Sequence, residues 1–439
     1  MKQLLFISYY FPPSGGPGVQ RSLKFVKYLA DFGWNPTVVT VRPEHASYPD
    51  LDPALMRDVP PSTRVERTYA WDPYAMYANV LGRSKQDVVS VGFLGEAETN
   101  FRQRIARWVR ANVFLPDARV GWVPFAAARG HALLERDGFD AMLTTGPPHS
   151  THLVGLLLRL MHGTPWLVDL RDPWTGIDYY ADLPMSPLAR AVDAWMEGLV
   201  LNNASAGTVV SESMGRSLLE RARLPLKVIE NGFDPADVEE IDAGPPEDRF
   251  VVRHVGSLNQ ARNPTVLWKA LAALRPDETM PELRLVFTGN VEPAVLQAAA
   301  AYGLDHLIET SAYVPHEKAI ALMHEATLLL LCINRVEGAE GIVTGKLYEY
   351  VASGRPVLGI GPPAGDAARV LGATDAGRMF GFDDVAGVHA YLRASYNAWK
   401  SGRGLTGARP ERAARYSRRE QTRKLADMLS SMLPDTSPH

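Results

Sequence analysis

The chain has 439 residues, 46% of them hydrophobic and 22% charged. This length is too great for one compact core and is enough for two, so we predict two domains. Lys and Arg total 46 against 49 for Asp and Glu, giving a net charge of -3. This balance excludes the concentrated positive field that non-specific nucleic-acid binding requires, so we expect no nucleic-acid partner.

Short apolar runs alternate with helical segments through the first half of the sequence. The run QLLFISYY is followed by the turn FPPSGGPG and by an amphipathic segment that ends at Gly33, where a left-handed helix cap belongs. Further strands are predicted at NPTVVTVR, FDAMLTTG, PWLVDLRD and GTVVSES. The β-α-β order of about five strands predicts a parallel sheet with helices on both faces.

The alternation stops around Asn231-Gly232 and the Gly-Pro-Pro at 244–246, where we place a linker. It restarts with RFVVRHV, LRLVFTG, the Cys332-containing run TLLLLCIN and RPVLGIG, and Cys332 is expected to be a small apolar side chain in a core strand. We predict an α/β protein of two Rossmann-like doubly wound domains, 1–232 and 233–439, facing a central cleft. We expect a last helix at about 415–435, which either stays with the second domain or packs back on the first.

Ligands of open parallel sheets bind at the carboxyl ends of the strands, which directs attention to the loops there. In the first such loop Gly15 and Gly16 allow the backbone to approach a ligand closely, although such glycines also serve plain backbone geometry. Gly16-x-Gly18 is followed by Arg21 where a dinucleotide fingerprint needs a third glycine, so an NAD site is excluded.

The segment GKLYEYVASGRPVL, 345–358, is the most informative stretch of the sequence. Gly345 and Lys346 begin a helix whose free N–H groups and dipole favour a phosphate. Leu347 and Val351 should face the core, which leaves Glu349 on another face, where its carboxylate can accept hydrogen bonds from both hydroxyls of a ribose. The alternative is that Glu349 pairs with Lys346 or with solvent.

This segment resembles the retaining GT-B glycosyltransferases of family 4, with a Gly/Pro-rich loop, a Glu-bearing helix and Gly-x-Pro-Val. The resemblance implies a nucleotide diphosphate-sugar donor bound by the second domain and an acceptor bound by the first, with retention at the anomeric carbon. It assigns Glu349 to the ribose. The partner glutamate of the family falls on Gly341, and Glu340 or Glu337 can replace it only if the loop shifts.

The resemblance also identifies a diphosphate-binding position in VGSLNQARNP. Ser257 occupies the first of two cationic positions and Arg262 the second, so one cation remains there. Arg262 is suited to bidentate phosphate contacts, the alternative being a solvated surface arginine. With Arg262 and the helix N-terminus to neutralise a diphosphate, we expect no metal or other cofactor. Asp50-Leu51-Asp52, which superficially resembles a metal-binding pair, lies in a Pro-rich stretch and is predicted to be a turn.

Two strand ends in the first domain supply the candidate catalytic residues. The loop TTGPPHSTH carries His149 and His152, and the next strand ends with Asp169, Arg171 and Asp172. His149 is the better candidate, His152 being predicted as a helix cap or core group. Asp172 is expected to orient an acceptor hydroxyl or act as a base, whereas Asp169 is equally suited to be a buried partner of Arg171.

Residues 101–114, FRQRIARWVRANVF, form a basic amphipathic stretch that either lies on anionic lipid or covers the domain's own core. No stretch reaches the ~18 apolar residues of a spanning helix, so we expect a cytoplasmic protein that is soluble or peripheral on the inner membrane face. Lipid contact fits a lipid-linked acceptor, as does resemblance to enzymes of surface polysaccharide assembly. The alternatives are a natural-product glycosyltransferase, a nucleotide-sugar epimerase or a catalytically silent binding subunit.

Overall fold

The computed structural model describes residues 1–48, 50–71, 101–176, 180, 183–239, 241, 243–274 and 279–434. The chain divides into two compact units. One consists of Met1–Glu230 together with the C-terminal residues from Gln421 onward, and the other is Asn231–Glu420.

The first unit is built on a parallel sheet of seven strands within the described residues, two more than the approximate number predicted. The order across the sheet is β3-β2-β1-β4-β5-β6-β7. The strands are β1 Lys2–Ser8, β2 Trp34–Val41, β3 Arg64–Thr68, β4 Ala141–Gly146, β5 Trp166–Leu170, β6 Ala206–Val209 and β7 Leu226–Val228.

Helices connect these strands, and several begin with proline or end at a glycine cap. They are α1 Pro17–Tyr28, α2 Phe101–Val113, α3 Val123–Asp137, α4 Ser150–His162, α5 Pro187–Asn203 and α6 Glu212–Leu219. Proline occupies the first turn of α1, α3 and α5, where its missing N–H costs no hydrogen bond. Gly33 has a φ of 80°, which confirms the predicted left-handed cap.

Both faces of this sheet are buried, as its continuous apolar strands require. Side chains alternate along a strand, so Leu5 and Ile7 of β1 enter one apolar cluster and Leu4 and Phe6 enter another. The chain's last helix, α14 at Arg418–Ser431, adds Leu425, Ala426, Met428 and Leu429 to the Leu4–Phe6 cluster.

The second unit has a parallel sheet in the order β10-β9-β8-β11-β12-β13. Its strands are β8 Phe250–Val255, β9 Leu283–Thr288, β10 Ile308–Ser311, β11 Leu328–Cys332, β12 Val357–Ile360 and β13 Gly377–Phe380. Its helices are α7 Thr265–Ala272, α8 Pro293–Ala300, α9 His316–His324, α10 Gly345–Ala352, α11 Asp366–Thr374, α12 Val385–Lys400 and α13 Pro410–Ala413. Cys332 ends β11 and is buried, which raises the pKa of its thiol to about 12. No helix in the described part of the chain combines the length and apolarity needed to span a bilayer.

Candidate functional site

In the first unit, the end of β5 carries a buried ion pair. Arg21 donates from Nη2 to Asp169 Oδ1 at 2.7 Å, and Thr145 and Thr208 each donate to the same carboxylate at 2.7 Å. Burial alone would raise the pKa of Asp169, but the charge of Arg21 and these hydrogen bonds outweigh it and hold the pKa below its usual value. The suggested pairing of Asp169 with Arg171 is therefore wrong, because Arg21 takes the carboxylate.

Arg171 instead joins two loops at the carboxyl ends of the strands. Its guanidinium donates to the carbonyl of Gly146 at 3.0 Å and also to the carbonyls of Gly18 and Pro147. These contacts fix the glycine loop after β1 against the loop that carries His149. The Arg171 guanidinium therefore links these two loops through several hydrogen bonds at once.

The two glycines of the first loop differ in their surroundings. Gly15 donates to the carbonyl of Asp50 at 2.9 Å, and a Cβ on Gly15 would lie 3.3 Å from the Asp50 Cβ. Its small size is therefore explained by packing against Asp50–Asp52, which is not the predicted turn, because Leu51 forms an antiparallel bridge with Ser14 and Asp52 caps a 3-10 helix. Gly16 has a φ of 82°, which favours glycine, and the space where its side chain would lie is open to a ligand.

A cavity of about 130 Å³ brings the two candidate catalytic residues together. His149 and Asp172 both line it. The remaining wall is mostly aliphatic and proline side chains, and it also includes three aromatic rings, two carboxylates and one arginine: Phe114, Trp174, Tyr180, Asp117, Asp193 and Arg110. Aromatic faces combined with carboxylates can pack against a sugar ring and accept hydrogen bonds from its hydroxyls.

His149 is held flat against an aromatic side chain. Its ring stacks on Trp174 with centroids 5.0 Å apart and planes 12° apart. Burial lowers the pKa of His149 to about 4, a shift that the charge of Asp117 opposes, so the imidazole is neutral near pH 7. Its Nδ1 atom has no hydrogen-bond partner among the described residues. A ring of such low basicity is better suited to accepting a hydrogen bond than to removing a proton.

Two carboxylates that shape this cavity, those of Asp117 and Asp193, were not predicted from the sequence. Asp117 accepts hydrogen bonds from Ser150 N at 2.8 Å and Ser150 Oγ at 2.9 Å, which fixes the start of α4 beside His149. Asp193 accepts from Trp174 Nε1 at 2.8 Å and from Tyr180 Oη at 2.7 Å. The sequence signals available for this cavity were Pro116-Asp117 and Asp172-Pro173-Trp174. Neither motif indicates which distant residue it contacts.

His152 is a core residue. Trp166 Nε1 donates to Thr144 Oγ1 at 2.9 Å, and the same hydroxyl is hydrogen-bonded to His152 Nδ1, also at 2.9 Å. Burial lowers the pKa of His152 to about 3. Of the two predicted alternatives for His152, a helix cap or a core group, the structure shows the core group.

In the second unit, Lys346 lies in the first turn of α10 and points toward the end of β8. Its Nζ atom is 3.4 Å from His254 Nε2, and His254 Nδ1 is 2.9 Å from the Leu330 carbonyl oxygen. A carbonyl can only accept, so His254 donates from Nδ1 and its Nε2 accepts from the Lys346 ammonium. Burial and the neighbouring Lys346 charge lower the pKa of His254 to about 3.

Arg262 supplies a second cation to this place. Its Nε donates to Asn334 Oδ1 at 2.5 Å, and burial lowers the pKa of its guanidinium. Burial first, and then the charge of Arg262, lower the pKa of Lys346 to about 8. Gly256, with a φ of 113°, leaves the room that Lys346 occupies, since a Cβ there would lie 2.6 Å from Nζ. Two partly desolvated cations without a paired carboxylate form a site suited to an anion.

Glu349 lies one turn further along α10, beside a histidine of α9. Its Oε1 atom is 4.0 Å from His316 Nδ1, and His316 Nε2 is 3.4 Å from Asp237 Oδ2. Burial raises the pKa of Glu349, although His316 lowers it. Lys346 lies against His254 and Glu349 against His316, so the direct pairing of Glu349 with Lys346 is not the arrangement adopted.

The loop before α10 leaves the position of the first family glutamate without a carboxylate. Gly341 closes a short 3-10 turn, Ala339–Gly341, and Glu337 and Glu340 are both exposed. Ser257, at the position of the missing cation, is also exposed. Gly345, the first residue of α10, is exposed and keeps the helix start accessible.

The comparisons with known proteins agree with this architecture. Residues 15–232 match the family model of the glycosyl transferase 4-like domain. No curated protein matches the sequence. Sucrose-phosphate synthase from Thermosynechococcus elongatus has a similar structure, with a TM-score of 0.62 at 15% identity over 98% of this chain and 99% of that one.

Two further solved structures are also similar. The lipopolysaccharide outer core galactosyltransferase WaaB aligns with a TM-score of 0.57 at 11% identity, over 98% of this chain and 100% of that one. WaaG, a glycosyltransferase involved in lipopolysaccharide biosynthesis, aligns with a TM-score of 0.54 at 14% identity, over 97% and 99%. At these identities the likeness shows the fold, and the domain match supplies the family. The chain is therefore a glycosyltransferase of the GT-B fold, and its residues 15–232 form a glycosyl transferase 4-like domain.

Proposed function

We propose that this chain transfers a sugar from a nucleotide diphosphate-sugar to an acceptor hydroxyl, with retention of configuration and without a metal ion. The observation that carries the proposal is the convergence of Lys346 and Arg262 beside the first turn of α10, with Glu349 one turn further on. Two cations and a helix N-terminus match the charge of a diphosphate, and a carboxylate matches a ribose diol.

The chemistry follows from where charge develops. As the bond from the sugar to the diphosphate breaks, negative charge grows on the leaving phosphate, and Lys346, Arg262 and the amides near Gly345 stabilise it. A bound diphosphate would also raise the pKa of Lys346 from about 8 and keep it charged. In this mechanism the leaving phosphate helps to deprotonate the acceptor, so a protein nucleophile is unnecessary. Glu349 holds the nucleotide in place.

The cavity of the first unit is the proposed acceptor site. Trp174 supplies an apolar face behind His149, and Asp172 is the carboxylate that orients the acceptor hydroxyl or serves as its base. Neutral His149 accepts a hydrogen bond from the acceptor. We propose a saccharide or lipid-linked saccharide as acceptor, in polysaccharide biosynthesis, the setting of WaaB and WaaG.

We propose further that α2 rests on the inner face of the cytoplasmic membrane. Ile105 and Trp108 on α2 are exposed, with the exposed Arg104 and Arg107 on the same helix. The neighbouring α5 exposes further apolar side chains, Leu188, Val192 and Trp195. Apolar side chains flanked by arginines are typical of a helix lying in an anionic interface.

Vesicle sedimentation tests the membrane contact. We expect the protein to sediment with phosphatidylglycerol vesicles and less with phosphatidylcholine ones, and the double variant Trp108→Glu, Trp195→Glu to stay in the supernatant. The control is Leu219→Glu, which changes an exposed leucine of α6. Equal sedimentation of the double variant and the wild type would contradict the membrane proposal.

A thermal-shift screen of UDP-, GDP-, ADP- and TDP-sugars in EDTA tests the donor assignment, because a ligand that binds only the folded state raises the unfolding midpoint. We expect one base to be selected. The selected donor is then incubated with and without saccharide acceptors, and the product's anomeric configuration is read by NMR. Isomerised donor without acceptor would indicate an epimerase, and absence of any nucleotide binding would indicate a silent binding subunit.

A further inference from the structure

Three side chains able to bind a metal ion converge on the surface of the first unit, outside the cavity. His131 and Glu135 lie four residues apart on one face of α3, and His162 is the last residue of α4. One ligand atom from each lies within 4.8 Å of the others. None of the three lines the cavity with His149 and Asp172.

The distances are close to those of a metal site. His131 Nδ1 lies 2.8 Å from His162 Nε2, with ring centroids 5.0 Å apart and planes tilted by 40°. Two nitrogens on a tetrahedral zinc ion, with bonds of about 2.0–2.1 Å, lie about 3.3 Å apart. The two rings therefore need to separate by only about half an ångström to accept an ion.

The third group can complete the set without disturbing the core. Glu135 Oε1 lies 3.4 Å from His162 Nδ1, the ring nitrogen that does not face His131, and the Glu135 side chain is 64% exposed, so the carboxylate must turn toward the Nε2 side to reach the ion. A solvated glutamate can rotate toward the ion at little cost, whereas the rings are carried by two helices that pack on each other. To coordinate the ion through both facing nitrogens, the ring that donates in the His131–His162 hydrogen bond would carry its proton on its other nitrogen, and the Glu135 carboxylate would offset part of the ion's charge.

We propose that His131, Glu135 and His162 bind one divalent transition-metal ion, zinc fitting best, and that the ion fastens the end of α4 to α3. Two imidazoles with one carboxylate suit zinc, whereas magnesium and calcium require oxygen ligands. Water fills the fourth position. The proposal is independent of the sugar-transfer site, because none of its residues takes part in that site.

Calorimetric titration of the tag-free, EDTA-treated full chain with zinc chloride and with magnesium chloride tests the site. We expect one equivalent of zinc to bind and magnesium to give no binding heat. The cobalt-loaded protein should show the visible absorption of a four-coordinate ion. Glu135→Gln should weaken zinc binding about tenfold or more, since even outer-shell partners of a metal contribute that much.

His131→Ala and His162→Ala should each remove the bound equivalent, and both variants should keep the wild-type circular dichroism, because neither ring lies in an apolar core cluster. The matched control is His306→Ala, which removes an exposed histidine of the second unit and should leave zinc binding unchanged. Zinc binding that survives the double variant His131→Ala, His162→Ala, or equal binding of zinc and magnesium, would overturn the proposal.

Discussion

The ammonium nitrogen of Lys346 lies 3.4 Å from Nε2 of His254, a buried imidazole whose other nitrogen donates to the Leu330 carbonyl. Because that bond fixes the tautomer, Nε2 presents a lone pair to the ammonium. His254 is therefore a positioning residue for Lys346, which in turn is proposed to contact the donor diphosphate. Three predictions concern this pair.

Lys346→Ala should weaken donor use strongly. A hydrogen bond to a charged group contributes about 1.5–3 kcal/mol, which corresponds to a loss of about 10- to 150-fold in kcat/KM for the donor. Steady-state kinetics with the donor selected by the thermal-shift screen measures the effect. Lys269→Ala, which removes an exposed lysine of α7, is the control, and equal kinetics in both variants would refute the role of Lys346.

Nucleoside diphosphate binding should depend on pH through Lys346. The pKa of Lys346 is lowered to about 8, so the positive charge is present below pH 8 and is lost as pH rises through it. Phosphate has finished titrating well below this range, with a second pKa of about 6. Affinity measured by calorimetry from pH 7 to 9.5 should therefore fall above pH 8.

Substitution of His254 should move this pH profile. His254→Leu removes the acceptor and leaves the ammonium buried without a partner, so the midpoint should shift to lower pH. His254→Gln keeps an acceptor and should stay closer to the wild type. A merely structural role for His254 would lower the unfolding midpoint in both variants and leave the pH midpoint where it was.

Asp172 and His149 should affect the acceptor and spare the donor. If Asp172 is the acceptor's base, Asp172→Asn should lower kcat by about 10²- to 10⁴-fold, as expected for lost acid-base catalysis. His149→Phe keeps the stacking on Trp174 but removes the acceptor nitrogen, so it should raise the acceptor KM more than it lowers kcat. Donor affinity by calorimetry should match the wild type in both, and a change there would argue against an acceptor site in the cavity.

The buried pair of Arg21 and Asp169 should govern the stability of the first unit. Asp169→Ala leaves the Arg21 guanidinium buried without its counter-ion, which should cost about 3–5 kcal/mol in the free energy of unfolding. The double variant Arg21→Met, Asp169→Leu should cost less than Asp169→Ala alone, because no unpaired charge remains. Urea unfolding followed by circular dichroism compares the two, and equal or larger losses in the double variant would contradict this account.

Local spacing was sufficient to predict α10 and the faces on which its residues lie. The helix period relates Leu347 and Val351 to the core and leaves Glu349 on another face, and all three are placed so in the structure. The left-handed cap at Gly33 was predictable for the same reason, since both features depend on residues within one or two helical turns.

Partners distant in sequence were not predictable in this way. His254 and Lys346 are 92 positions apart, and Arg21 and Asp169 are 148 apart. Arg171, two positions from Asp169, was the only partner suggested from the sequence, and Arg21 was not considered. Parallel sheets bring strands together through crossover connections, so neighbours at the sheet edge are separated by whole helices and loops.

The sequence by itself determined the class of this protein: two alternating α/β halves, a Glu-bearing helix after a glycine loop, and the histidine and aspartate loops at strand ends. These follow from hydrophobic periodicity and short-range geometry. Only the tertiary structure decided that Asp169 belongs to Arg21, that His149 is stacked and neutral beside Asp172, and that Lys346 rests on His254. The physical reason is that pairing and desolvation depend on which side chains share a buried space, and that space exists only once the sheets have formed.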